Sequence, residues 1–322
     1  MSDFKTLSVR ECAERLLSVK DPTVAIHVRP DGDAVGSGTA LAEIFSELGK
    51  KCTLICPDPI PERLLFLTDG IDITESAEGH ELVSIDVASP SQLGKTYDIK
   101  VPILSIDHHR VNTPFSDNCT LPDASSAGEV LYKIARELLS MGKLSFTKRI
   151  AERIYAAVAS DTGGFVYSNA TAETYRIAAE LVSMGIDHAE INQKLFNSKS
   201  KDQLHAEGYV ALNLKTSACG KISYSTLSKE DRDRLGLPFA AFESSIDIVR
   251  SAMGSEIAFI LKETDDGQFK ASLRSNGADV ARIAQRHSGG GHTRAAGCTV
   301  KAKDINEAEE ILLSELRSAL SD

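Results

Sequence analysis

The chain has no long apolar run: nothing in it approaches the roughly 20 consecutive apolar residues that a membrane helix needs. Its opening residues, Met1-Ser-Asp-Phe-Lys-Thr6, lack the apolar core of a secretion signal, so a cytoplasmic location is the expectation. Cysteine is sparse and scattered (Cys12, Cys52, Cys56, Cys119, Cys219, Cys298), and the one close pair, Cys52 and Cys56, amounts to neither a zinc site nor a disulfide framework. Reduced thiols are therefore expected. An excess of basic residues is also missing. The net charge of −10 argues against a protein that coats long strands or duplex, which needs a basic stripe. A small phosphorylated substrate stays compatible, because bound cations reverse the local field. There is no low-complexity tract, no solenoid repeat and no charged tail.

What is present is an ordinary globular composition, 42% hydrophobic and 25% charged. At 322 residues, and roughly 150 per domain, about two domains are expected. The first half alternates apolar runs with amphipathic stretches. Helices are expected near Ser8–Lys20, Gly36–Leu48, Ser126–Met141, Thr147–Ala159 and Thr171–Met184, and strands at Thr23–His27, Cys52–Cys56, Glu81–Val87 and Val101–Ile106. That alternation implies an α/β fold with a doubly wound parallel sheet. It spans residues 1–187 and is joined by a helical linker, 188–210, to a smaller α+β domain, 211–322. In the latter, Leu212–Thr216 with Lys221–Thr226, and Glu256–Glu263 with Gln268–Arg274, read as β-hairpins, and Asp304–Leu320 as a closing helix.

Two of the apolar strands release clustered Asp and His. Thr23-Val-Ala-Ile26 runs into His27-Val-Arg-Pro-Asp31-Gly-Asp33, and Val101-Pro-Ile-Leu-Ser-Ile106 runs into Asp107-His108-His109. The carboxyl ends of parallel strands are where α/β proteins bind ligands. Pro30 stops a helix and Gly32 permits a tight turn, so both carboxylates can converge on one point. A helix cap at Asp33 uses one carboxylate and leaves His27 and Asp31 unexplained, whereas a metal site uses all three. Two adjacent histidines usually point apart, so one of His108 and His109 should bind an ion while the other contacts substrate. Asp86 follows Leu82-Val-Ser-Ile85, and Asp161 precedes Gly163-Gly164; singly, each reads as a turn or cap residue. In Gly289-Gly-Gly-His292, consecutive glycines let backbone amides approach a phosphate, and His292 or Arg294 can add positive hydrogen bonds. Arg274 ends a predicted strand of the same domain.

Taken together and in this order, these motifs resemble the DHH phosphoesterase superfamily over nearly the whole chain. The first motif is His27-Val-Arg-Pro-Asp-Gly-Asp33-Ala-Val-Gly36, the second Ser84-Ile-Asp86, and the third Ser105-Ile-Asp107-His-His109. The fourth is Ala159-Ser-Asp161-Thr-Gly-Gly-Phe165, continuing to Tyr167-Ser-Asn169. The C-terminal half is similar to the DHH-associated domain through Ser272-Leu-Arg274-Ser275, Gly289-Gly-Gly-His292 and Ala295-Ala-Gly297. The length resembles the nanoRNase (oligoribonuclease) and phosphoadenosine phosphate phosphatase group. Arg29 stands where that group more often has a small polar residue, and Ser288 precedes the glycines where a fourth glycine is common; both departures bear on substrate preference.

The resemblance implies that His27 and Asp31 hold one metal ion, that Asp33, His108 and Asp161 hold another, and that Asp86 bridges them. It further implies that Asp107 orients His108, that His109 contacts the scissile phosphate, and that Arg274, Ser275, Gly290, Gly291, His292 and Arg294 bind substrate. Four ligating aspartates match the charge of two divalent ions. Mixed imidazole and carboxylate ligands favour manganese over magnesium, so two Mn2+ are expected, with Co2+ or Mg2+ as substitutes. Such ions, about 3.5–4 Å apart, activate water and clamp a phosphate for in-line displacement.

The expected enzyme is thus a manganese-dependent phosphoesterase. Its substrates would be short single-stranded oligonucleotides, cut from an end, or phosphoadenosine phosphate. The alternative is a phosphodiesterase for cyclic or linear dinucleotides of the c-di-AMP or pApA type. A soluble pyrophosphatase is disfavoured by the Gly-Gly-Gly-His string, and a long-strand exonuclease of the RecJ type by the acidic charge and the lack of an added nucleic-acid-binding domain. A non-catalytic nucleotide sensor is disfavoured because all six expected ligand positions are filled. Neither duplex nor membrane is an expected partner, and the oligomeric state is open, with a homodimer allowed.

Overall fold

The apolar runs of the first half become a parallel sheet in the computed structural model, which describes residues 4–74 and 81–320. Two units are distinguished, Met1–Ser198 and Lys199–Asp322. In the first, the strands are β1 (Pro22–Ala25), β2 (Thr53–Ile55), β3 (Asp72–Thr74), β4 (Glu81–Ile85), β5 (Leu104–Asp107) and β6 (Asn118–Thr120). Their order is β3-β2-β1-β4-β5-β6, with every pair parallel. The strand order reverses direction between β1 and β4, the switch point at which such sheets leave a crevice outside the strand ends. All of β1 and β5 is buried, since the main core covers one face and a smaller cluster around Leu82, Leu93 and Phe115 covers the other.

β1 and β4 stop short of the apolar pattern. His27 and Asp86 therefore stand beyond the last ladder residues of their strands, released from the strict in–out alternation. Helices Gly32–Glu47 and Ala127–Ser140 pack on this sheet, and Lys148–Asp161 packs against both of them. Glycine sets their spacing. A Cβ on Gly36 would lie 2.8 Å from the Arg153 carbonyl oxygen, and one on Gly128 would lie 2.5 Å from the Ala157 Cβ. Helix Lys148–Asp161 thus receives both neighbours at backbone distance. The cap of the first helix is Asp31, not Asp33. Its Oδ1 accepts from the N–H groups of Asp33 and Ala34, both at 3.0 Å, and Asp33 is left inside the first turn.

The stretch 188–210, expected as a linker, is shared between the units. Ile191 and Leu195 lie in the core of the first, while Ala206 and Val210, on helix Lys201–Leu212, lie in a core of the second. The second unit is a mixed sheet of β7 (Lys215–Thr216), β8 (Ile222–Leu227), β9 (Ile257–Glu263), β10 (Phe269–Ser275), β11 (Gly290–His292) and β12 (Ala295–Val300). Its order is β11-β12-β10-β9-β8-β7. Both expected hairpins form, as β7–β8 and β9–β10. β8 and β9 pair in parallel because residues 228–256 make a crossover. Helices Val280–Arg286 and Ile305–Ala319 cover one face, and Lys201–Leu212 and Ile246–Arg250 the other.

Both departures from the group's sequence pattern adopt the left-handed conformation, Arg29 at φ 54° and Ser288 at φ 55°. Ser288 follows helix Val280–Arg286, where Gly289 N–H donates back to the Ala284 carbonyl at 2.9 Å. That is the Schellman closure, whose left-handed position normally takes glycine. All six cysteines are free thiols. Among the described residues, no helix is long and apolar enough to cross a membrane.

Candidate metal centre

The ends of β1, β4 and β5 and the start and end of two helices deliver the Asp and His side chains to one place. His27 uses Nδ1–H to donate to the Val28 carbonyl at 2.8 Å, which fixes the tautomer and frees Nε2. That Nε2 lies 3.8 Å from Asp31 Oδ1 and 3.5 Å from Asp86 Oδ2. His108 Nε2 lies 3.7 Å from Asp33 Oδ2, 3.6 Å from Asp86 Oδ1 and 3.4 Å from Asp161 Oδ2. His27, Asp31 and Asp86 form one set with donor atoms within 4.8 Å of one another; Asp33, His108 and Asp161 form a second, and Asp86, His108 and His109 a third. Asp86 is the junction. It takes φ 60°, a strained backbone for a non-glycine residue, and is 2% exposed.

Burial and crowding shape the ionisation of these groups. Burial, aided by Asp86, pushes the Asp33 carboxyl well above the usual range. Burial also pushes Asp161 up to about 7 against the pull of His108. Burial works against the charged form of both histidines, yet Asp31 and Asp86 raise His27 to about 11, and Asp86, Asp33 and Asp161 raise His108 to about 10. At Asp86 burial favours the neutral acid, but His108 and His27 outweigh it and hold the carboxyl below its ordinary value.

The cluster fits divalent metal ions. Asp86 Oδ1 is buried with no hydrogen-bond partner, a costly state for a carboxylate oxygen unless a cation completes it. Four carboxylates and two imidazoles are the donors that manganese and similar ions accept. The main chain holds these carboxylates in place: Asp33 accepts from Ala127 N–H at 2.7 Å and Gly128 N–H at 3.0 Å, at the start of a helix.

Asp107 does not orient His108 as expected. Its Oδ1 receives the Nδ1–H of His109 at 2.7 Å, together with the backbone N–H of His108 at 2.8 Å and of His109 at 3.3 Å. The triplet's first carboxylate therefore sets the ring of the third residue, and the His109 Nε2 is the nitrogen left for a ligand. Chiefly through Asp107, against the effect of burial, the His109 pKa is raised.

In the second unit, Arg274, Ala295 and His292 occupy one register row across β10, β12 and β11. Ser275 is buried, its N–H donating to the Arg294 carbonyl at 2.9 Å and its Oγ accepting from Gly277 N–H at 3.0 Å. Arg274 Nη1 donates to the Leu273 carbonyl at 3.0 Å. The glycine string is an edge strand rather than an open loop. Gly290 pairs with Gly297 and Gly291 with Ala296, and a Cβ on Gly289 would lie 2.1 Å from the Gly297 oxygen. Arg294 is exposed, and the side chain of His292 lies outside what the structure describes.

Sequence reasoning missed Glu129, which is buried and accepts from Ser125 Oγ at 2.8 Å, Thr174 Oγ1 at 3.1 Å and Lys133 Nζ at 2.9 Å. The spacing Ser126-x-x-Glu129 at a helix start was a usable signal, since it is the sequence form of a capping box. Here the Glu turns to Ser125 instead.

A parallel sheet with carboxylates and imidazoles gathered at its switch point, followed by a mixed sheet domain, is the build of a metal-dependent phosphoesterase. The chain belongs to the DHH phosphoesterase family: residues 23–158 match the DHH family N-terminal domain and residues 224–320 the DHHA1 domain. It is 32% identical over 327 aligned residues to a bifunctional oligoribonuclease and PAP phosphatase, NrnA, of Thermus thermophilus, covering 97% of this chain and 94% of the relative. The protein of the same description from Bacillus subtilis is 29% identical, covering 89% and 90%. Among solved structures, an exopolyphosphatase-related protein from Bacteroides fragilis superposes with a TM-score of 0.86 at 26% identity, covering 96% of each chain.

Proposed function

We propose that this phosphoesterase hydrolyses short single-stranded oligoribonucleotides from an end, and also phosphoadenosine phosphate (PAP). Full-length similarity to relatives described by those two activities supports the choice of substrates. The observation that carries the chemistry is Asp86, a buried carboxylate with an unpartnered oxygen between two sets of His and Asp. His27 and Asp31 would hold one Mn2+, Asp33, His108 and Asp161 the other, and Asp86 both. When bound, the ions supply Lewis acidity toward phosphate oxygens and a hydroxide nucleophile near neutral pH.

The chain's own residues do the rest. Asp31 and Asp33 are pinned by backbone N–H groups, so their oxygens keep their positions as charge shifts during reaction. His109, held through Nδ1 by Asp107, turns Nε2 toward the phosphate and stabilises negative charge developing there. Arg274, Ser275, Gly290, Gly291, His292 and Arg294 hold the parts of the substrate that do not react.

The test is a panel comparing kcat/KM with manganese for dinucleotides, five-mers, strands of several dozen nucleotides, cyclic dinucleotides, PAP and pyrophosphate. Dinucleotides to five-mers and PAP should lead. A preference for pyrophosphate or cyclic dinucleotides, or equal rates on short and long strands, overturns the proposal.

A further inference from the structure

We infer that Asn169 is a positioning residue that couples the two helix termini carrying the Asp33–Asp161 half of the centre; this rests on the two-ion reading above. A single side-chain nitrogen, Asn169 Nδ2, donates to the Ser125 carbonyl at 3.0 Å and to the Asp161 carbonyl at 3.1 Å. An amide nitrogen has two hydrogens, so both are spent on these two acceptors.

What lies behind each acceptor gives the bridge its consequence. Asp161 is the last residue of helix Lys148–Asp161, where a C-terminal carbonyl has no partner within the helix. Asn169 supplies that partner and thereby sets the backbone from which the Asp161 carboxylate projects. Ser125 precedes Ser126, the cap of helix Ala127–Ser140, whose first two N–H groups grip Asp33. Glu129 holds the same turn from inside, accepting from the N–H and Oγ of Ser125. Asn169 therefore ties the donors that aim Asp33 to the residue that carries Asp161, and both carboxylates face His108 Nε2.

The neighbouring loop is shaped for this return. Val166 and Tyr167 N–H groups both donate to the Thr162 carbonyl, at 2.9 and 3.0 Å, which folds the chain back beside Asp161. Asn169 itself is exposed. An exposed asparagine is ordinarily replaceable, so a selective effect of its loss on ion binding separates positioning from general structural support.

The experiment is calorimetric titration of the full chain with Mn2+, alongside thermal melts in chelator. Asp161→Asn identifies the binding step that belongs to Asp33, His108 and Asp161. Asn169→Ala should weaken that same step by about ten- to a hundredfold, the usual effect of removing an outer partner of a metal ligand. The other step and the melting temperature in chelator should be unchanged. Asn169→Asp should also weaken that step, because it lacks the donor, although its added charge alone would draw a cation closer. If Asp161→Asn alters neither step, the ligand assignment fails and this inference falls with it. If Asp161→Asn weakens a step and Asn169→Ala does not, the positioning role alone is overturned. Equal weakening of both steps together with a lowered melting temperature makes Asn169 a structural residue and likewise overturns it.

Discussion

In the first unit, carboxylates that face the cluster are pinned by main-chain N–H groups: Asp31 by residues 33 and 34, and Asp33 by residues 127 and 128. Asp107, which sets His109, is pinned by residues 108 and 109. In the second unit, Gly290 and Gly291 lie on the edge strand β11, whereas Arg274 lies near the end of β10, an interior strand, and its guanidinium touches the carbonyl of its own neighbour. The contrast separates two tasks. Groups that act where charge develops need fixed geometry, which backbone donors at helix starts provide at no cost in side-chain freedom. Groups that would hold the rest of a substrate can reach for it, and a long side chain near a strand end suits that role.

The comparison breaks most sharply at Asp86. Asp86→Ala, or thorough chelation, should lower hydrolysis of every substrate by at least about a thousandfold, or about 4 kcal/mol at 1.36 kcal/mol per decade. Steady-state rates on a dinucleotide and on PAP check it, and retained activity in either case removes the metal-centre reading.

A smaller effect should distinguish the units. His109→Ala should lower kcat by about 10²–10³-fold, and Asp107→Asn should add nothing once His109 is gone, since it acts through that ring. Arg274→Ala should instead raise KM, costing about ten- to a hundredfold in kcat/KM, the worth of one charge-assisted phosphate contact. On a phenyl phosphate ester the Arg274 variant should keep near-normal rates while the His109 variant stays slow. Equal losses on that ester would erase the division of labour.

The pinning in the first unit has its own pH signature through Glu129. Burial opposes ionisation, but Lys133 and Ser125 outweigh it and hold the carboxyl below its ordinary value. A depressed carboxyl contributes stability above its unfolded pKa and loses it as pH falls through the lower, folded value. Glu129→Gln should therefore cost about 1–3 kcal/mol near pH 7 and less at low pH, narrowing the gap between melting temperatures at pH 7 and pH 4. An unchanged gap would show that the charge of Glu129 is not what holds the Ser125 turn.

The smallest expected effect is in the second unit. Ser288→Gly relieves the left-handed position after helix Val280–Arg286 and should stabilise by about 0.5–1 kcal/mol. A melting temperature that falls would show that Ser288 makes a contact worth more than the strain.

Much of this was legible in the chain alone because it is local. Apolar runs four to six residues long mark buried strands, and the Asp and His strings directly follow two of them, so the α/β class and the grouping of His27, Asp31 and Asp33 with one of His108 and His109 follow from order along the chain. Asp86 and Asp161 are isolated acids, and they acquired meaning through the resemblance rather than through any pattern of their own. What stayed hidden involves partners distant in sequence. The grip of Ala127 and Gly128 on Asp33 spans more than ninety residues, the bridge from Asn169 to Ser125 spans 44, and neither leaves a periodic trace.

The same distinction explains the differences in detail. Which aspartate caps helix Gly32–Glu47 depends on one turn of backbone, and the chain offers two candidates two residues apart. Which ring Asp107 orients depends on side-chain torsions at adjacent histidines that no spacing encodes. Gly289-Gly-Gly-His292 looks like a loop by composition, and it becomes an edge strand because β12 presents small residues, Ala296 and Gly297, that let the two backbones close. The amino-acid sequence by itself determined the layers, their order and the donor atoms, because these depend on hydrophobic period and residue type. The tertiary structure decided which donors lie together, which backbone groups aim them and which glycines are spacers, because those depend on distances between segments that meet only when the core has formed.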